Sequence, residues 1–145
     1  MKHQETVNAI LVDLFNDIMK LEAKEVITPE FKDITNNDMH IIEAVGVNAA
    51  RNMSSIAKDL KITVGTLTTA INSLVKKGYV CRKRGEQDRR VVFISLSEKG
   101  KRAYYHHERF HQQMIAHMLE RLTDEEIVTT VKALDKLRQY FKSLE

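Results

Sequence analysis

The chain has 145 residues, a 43% apolar fraction and a formal net charge of +3, enough for one compact core and only mildly basic overall. No stretch approaches the roughly 18 consecutive apolar residues of a membrane span, and the N-terminal MKHQETVNAILVDLFNDIMKLEAKE intersperses charges where a signal core would be continuous, so a cytoplasmic protein is expected. The single cysteine, Cys81, excludes an internal disulfide and a CxxC metal clip.

A first helix is predicted over residues 5–25, where Val7, Ile10, Leu11, Leu14, Phe15, Ile18 and Leu21 recur at helical spacing. Thr28-Pro29 opens a connector, because proline disfavours helix at the residue before it. A second helix starts at TNND, with Thr35 as cap and Asp38 at the third helical position. It carries Ile41, Ile42 and Val45 and fades near Gly46.

The segment from Asn52 to Val80 is the most informative. Asn52 caps a short helix through Leu60 with Ile56, Ala57 and Leu60 inward, and Lys61-Ile62 makes the turn. Thr63 then caps a longer helix bearing Val64, Leu67, Ile71, Leu74 and Val75, which Gly78 ends. Two helices joined by a tight turn, the second exposing Gly65, Thr66, Thr68, Thr69 and Asn72, form a helix-turn-helix layout. Small hydroxylated side chains allow close approach to a groove, and hydroxyl and amide groups bond phosphates or base edges. A small helical hairpin with a polar outer face has the same pattern.

YVCRKR and VVFISL read as strands around the loop GEQDRR, the second alternating Val92, Ile94 and Leu96 against Val91, Phe93 and Ser95. From Lys76 to Arg90 the basic residues Lys76, Lys77, Arg82, Lys83, Arg84, Arg89 and Arg90 face only Glu86 and Asp88. A solvated charged face explains such a run; its position after a small-residue helix favours an anionic polymer, with Lys76, Lys77, Arg82, Lys83 and Arg84 as phosphate contacts. Ser97 begins a long helix with Ala103, His107, Phe110, His111, Met114, Met118 and Leu122 on its stripe. A last helix follows LTDEE, with Thr123 and Glu126 as a capping box and Ile127, Val131, Leu134, Phe141 and Leu144 on one face. The outer helices need a surface to cover their stripes; a second copy of the chain supplies it, and a monomeric bundle is the alternative. There is no GxSxG, P-loop or HExxH, so an enzyme is not expected.

The stretch DRRVVFISLSEKG at 88–100 resembles the wing motif of the MarR family of bacterial transcriptional regulators: Asp-x-Arg, an alternating strand, Leu-Ser/Thr, then Gly. The resemblance covers the full length. It implies a mainly α fold with a small β-hairpin wing, residues 35–100 forming the winged helix-turn-helix lobe and residues 1–34 and 101–145 a helical dimerisation region. It also implies a homodimer on double-stranded, pseudo-palindromic DNA, with Arg90 entering the minor groove, Asp88 orienting it and Arg89 meeting phosphate. Within the family, FKDIT, Met39-His40, TVGTLTTAINSLVKKGYV, GEQDRRVV and RFH at 109–111 resemble the repressors of type II fatty-acid synthesis genes in Gram-positive cocci. That similarity implies a long-chain acyl group on acyl carrier protein as corepressor, with Phe15, Met19, Ile42 and Phe110 as candidate pocket walls and no obligatory cofactor. An alternative comes from Glu22, His40, His107 and His111, which stand where zinc-sensing repressors of streptococci and lactococci hold zinc. His107 and His111 are four residues apart, on one helical face, and imidazole with carboxylate suits Zn²⁺. Met39 and Thr28 stand where those sensors have a carboxylate and a cysteine, and histidines on an apolar stripe also serve packing.

Overall fold

The computed structural model describes residues 2–145. They fall into two compact units, one ending at Glu108 and one spanning residues 109–145, each described by itself. In chain order the elements are α1 (Lys2–Val26), α2 (Asn36–Val45), β1 (Arg51–Asn52), α3 (Met53–Leu60), α4 (Val64–Lys77), β2 (Val80–Arg84), β3 (Val92–Leu96), α5 (Glu98–Leu119) and α6 (Asp124–Ser143). No helix among the described residues is long and apolar enough to cross a membrane.

The predicted caps set these boundaries. Thr35 and Asp38 form the capping box of α2, and Asn52 and Thr63 accept from Ser55 N and Thr66 N to start α3 and α4. Thr123 and Glu126 do the same for α6. Gly78 ends α4 at φ 84°, and its N–H bonds the carbonyls of Leu74 and Val75. The turn between α3 and α4 is made by Lys61 at φ 57°, a left-handed position filled without glycine.

The wing departs from a two-stranded hairpin. The sheet has three antiparallel strands in the order β1-β3-β2, with Arg51 opposite Ile94 and Asn52 opposite Phe93. Two residues are too few to carry a period-two pattern, and Asn52 is also the cap of the next helix, so the extra strand leaves no sequence signature. Arg51 holds it in place: its guanidinium donates to Ala44 O and Ser55 Oγ and pairs with Asp59, each at 2.6 Å.

The core of the first unit is built from α2, α3, α4 and the sheet, with Ile42, Ile56, Leu67, Ile71, Leu74, Tyr79 and Ile94 fully enclosed. Tyr79 donates to Asp33 Oδ1 at 2.7 Å, which ties the connector after α1 to this core. Burial, then that hydrogen bond, pushes the phenol well above its ordinary range; the same bond holds the Asp33 carboxyl below the usual carboxylate range. Val64 departs from the predicted core stripe. It is 45% exposed and lines a surface cleft beside Thr68, Arg82 and Arg90.

The Leu-Ser-x-x-Gly run after the wing is a close-packed junction. Ser97 N donates to Tyr79 O, Ser97 Oγ donates to Gly78 O, and the same oxygen accepts from Gly100 N. These bonds join the end of α4, the start of β2 and the start of α5. A Cβ on Gly100 would lie 2.0 Å from the Tyr79 carbonyl oxygen, and backbone on both sides cannot step aside. Gly100→Ala is therefore expected to cost about 1–3 kcal/mol, measured as a lowered midpoint in thermal or urea unfolding.

Candidate nucleic-acid interface

The exposed face of α4 carries Gly65, Thr66, Thr68, Thr69, Asn72 and Lys76, as its apolar residues Leu67, Ile71 and Leu74 turn into the core. Thr68 Oγ1 donates to Val64 O at 2.8 Å and Thr69 Oγ1 to Gly65 O at 3.4 Å. Both protons are used within the helix, so these oxygens face outward as acceptors, suited to the amino groups of adenine or cytosine. The Thr66 hydroxyl instead accepts from Thr63 Oγ1 at 2.9 Å and keeps a proton for an outside acceptor.

Strand alternation sorts the basic residues of the wing. In β2, Val80, Arg82 and Arg84 pair with Leu96, Ile94 and Val92, while Cys81 and Lys83 pair with Ser95 and Phe93 and point to the opposite face. Arg82 and Arg90 from the wing, Thr68 and Val64 from α4, and Asn52 and Ser54 beside the start of α3 line one cleft. Asn52 and Ser54 are missing from the predicted set. Their signal was the Asn52 cap itself: a helix N-terminus presents unbonded N–H groups, which suit a phosphate beside two arginines.

At the wing tip the Arg90 side chain is 92% exposed and held by one residue. Asp88 Oδ1 accepts from Arg90 N at 3.0 Å and Nε at 3.2 Å, and Oδ2 accepts from Nη2 at 3.3 Å. The Arg90 side chain, then its backbone N–H, keeps the Asp88 carboxyl below the usual carboxylate range. Arg84 Nη1 donates to Arg89 O at 3.2 Å, which steadies the loop and leaves the exposed Arg89 side chain at the tip. Arg82 Nη1 donates to Asn72 Oδ1 at 2.5 Å, and Lys83 lies 3.6 Å from Glu86. Lys77 departs from the predicted phosphate contacts. Its ammonium pairs with the buried Asp38 at 2.9 Å and braces the capping box of α2 against the end of α4.

Comparison with known proteins agrees with this geometry. Residues 22–105 match the family described as transcriptional regulator SarA/Rot. The HTH-type transcriptional regulator YwhA of Bacillus subtilis is 34% identical over 108 residues, 74% of this chain and 78% of YwhA. The chain belongs to the MarR/SarA family of winged-helix transcriptional regulators. FabT of Streptococcus pneumoniae, solved in complex with DNA, is 36% identical with a TM-score of 0.93, over 98% of this chain and 99% of that one. A MarR family protein from Bacillus stearothermophilus shares the fold at a TM-score of 0.76 and 24% identity, over 98% of both chains. FabT was solved with DNA and YwhA is a transcriptional regulator rather than an enzyme, and this MarR/SarA-type chain binds DNA.

The regulator's other predicted residues stand in different surroundings. Ile42 is fully enclosed in the core, Met19 is half-buried and Phe15 is 64% exposed on α1; Phe110, half-buried, lies in the second unit. Of the predicted metal ligands, Glu22 and His107 meet in a buried position, with His107 Nε2 3.2 Å from Glu22 Oε1. The same nitrogen also lies 2.7 Å from Glu43 Oε1; His40 is exposed on α2. His111 follows His107 by one turn of α5, in the second unit. Glu43 was missed because a carboxylate in the second half of a short helix reads as a solvated charge.

Proposed function

We propose that this regulator binds a pseudo-palindromic operator as a homodimer and represses fatty-acid synthesis genes, with a long-chain acyl group carried on acyl carrier protein as its corepressor. The observation that carries this reading is the likeness to FabT, 36% identical over 98% of the chain. Two copies would set the α4 faces in successive major grooves, with Arg90 of each copy in the flanking minor groove and Arg82, Arg84, Arg89 and Lys76 against phosphate. Affinity would then fall steeply with salt as condensed counterions are released. An acyl group strengthens repression only if it binds the DNA-competent arrangement more tightly than the other.

The test is a fluorescence-anisotropy titration on the promoter duplex of the fatty-acid synthesis genes from the same genome. Palmitoyl- or oleoyl-loaded carrier protein is expected to tighten binding at least about tenfold, within the usual range of allosteric coupling, while unloaded carrier does not. Equal affinity with both carriers overturns the corepressor assignment. The buried Glu22–His107 pair favours a second reading, zinc control, since it joins a carboxylate and an imidazole out of solvent. Zinc alone in the same titration discriminates: a zinc-dependent shift that is abolished in His107→Ala supports that reading.

A further inference from the structure

We infer that Asn72 acts on DNA through Arg82, as a positioning residue rather than a reader of bases. An asparagine reads adenine with both ends of its amide, the carbonyl accepting from N6 and the amino group donating to N7. Here one of the carbonyl oxygen's two lone pairs is already engaged: Arg82 Nη1 donates to Asn72 Oδ1 at 2.5 Å. That guanidinium ties the amide to the wing, and an adenine would have to share the oxygen with it.

The strand explains why Arg82 can reach. It sits opposite Ile94 on the face of the sheet that packs toward α4, two residues after the buried Val80 and at the edge where that face opens into the cleft. Asn72 is the exposed residue on the third turn of α4, next to the buried Ile71. The hydrogen bond therefore spans the gap between recognition helix and wing, and it couples the placement of a phosphate-directed cation to the placement of the helix.

The two wing arginines are held in chemically different ways. Asp88 holds Arg90 with a carboxylate, so that guanidinium arrives partly neutralised. Asn72 holds Arg82 with a neutral amide, which orients the fork and leaves its full charge for a phosphate. A carboxylate at position 72 would orient Arg82 equally well and cancel its charge.

The experiment measures binding by anisotropy across a salt series. Its probes are a duplex enriched by the wild-type protein from a random library, its single-base-pair variants and an unrelated duplex. Arg82→Ala is expected to lower the log–log salt slope by about 1 for each copy bound. Asn72→Ala should weaken binding by about threefold to tenfold, by the same factor on every duplex. In the Arg82→Ala background, Asn72→Ala should add nothing. Asn72→Asp should lower the salt slope as Arg82→Ala does, although Arg82 is still present. A loss that vanishes only on the variants of one base pair would make Asn72 the reader of that pair and overturn the inference. So would full additivity with Arg82→Ala, or no loss at all. Both side chains are exposed, and an unchanged unfolding midpoint confirms that each variant is folded.

Discussion

Arg90→Ala is expected to reduce operator affinity by about a hundredfold or more, since an arginine reading a groove contributes at least about tenfold and the proposed dimer would use two. The unfolding midpoint should not move. Among the described residues the Arg90 side chain bonds Asp88 alone, and exposed ion pairs add little to stability. That combination, a large binding loss with no stability loss, separates a DNA-facing arginine from a structural one. Asp88→Ala should have a smaller effect of the same kind, because Arg90 remains but loses both its side-chain chelation and the bond that shapes its backbone. The sign of the pH response follows. The Asp88 carboxyl lies below its ordinary range, so the pair is intact at neutral pH and opens only as pH falls through that lowered value. Competition titrations near neutral pH should therefore show wing binding that does not vary with pH. Undiminished binding by Arg90→Ala would remove the wing tip from the interface.

What could be read from the sequence follows from how local each signal is. The capping residues Thr35, Asn52, Thr63 and Thr123 act on N–H groups within three positions of themselves, so the starts of α2, α3, α4 and α6 were legible before any packing was known. The alternation of Val92, Ile94 and Leu96 was legible for the same reason, because one face of that strand is buried. The third strand was not, since it exists only through pairing with Ile94 and Phe93, far along the chain. Charge was legible in amount but not in allocation. Lys76 and Lys77 are adjacent in sequence, yet the helical step of about 100° leaves Lys76 exposed and turns Lys77 onto Asp38, 39 residues away. The meeting of Asn72 with Arg82 is non-local in the same way: both were predicted to face DNA, and their bond to each other depends on the sheet edge lying against α4.

A glutamate pair placed on α6, Val131→Glu with Leu134→Glu, is expected to convert the proposed dimer to a monomer of 16.8 kDa in sedimentation equilibrium and to abolish tight operator binding. No residue of this 20-residue helix is buried, although Val128, Val131, Leu134, Leu137, Tyr140 and Phe141 are all on it, with Leu134 57% exposed. Fully burying a large aliphatic or aromatic side chain stabilises by about 1.5–3 kcal/mol, so leaving this roughly half-exposed row in water forgoes an amount comparable to a domain's net stability. In α1, Val7, Ile10, Leu14 and Phe15 are exposed in the same way. In the proposed dimer a second copy would cover both faces and supply the second α4 and wing that an inverted half-site requires. Because positions 131 and 134 already face solvent within one chain, two glutamates cost a lone chain almost nothing and retain good helix propensity. Any loss of assembly therefore reports on the partner surface. Operator affinity should then drop by at least about a hundredfold, since the second half-site is no longer tethered at high effective concentration. A double variant that remains dimeric and binds as before would show that α6 meets no second copy, and the paired-half-site geometry would fall with it.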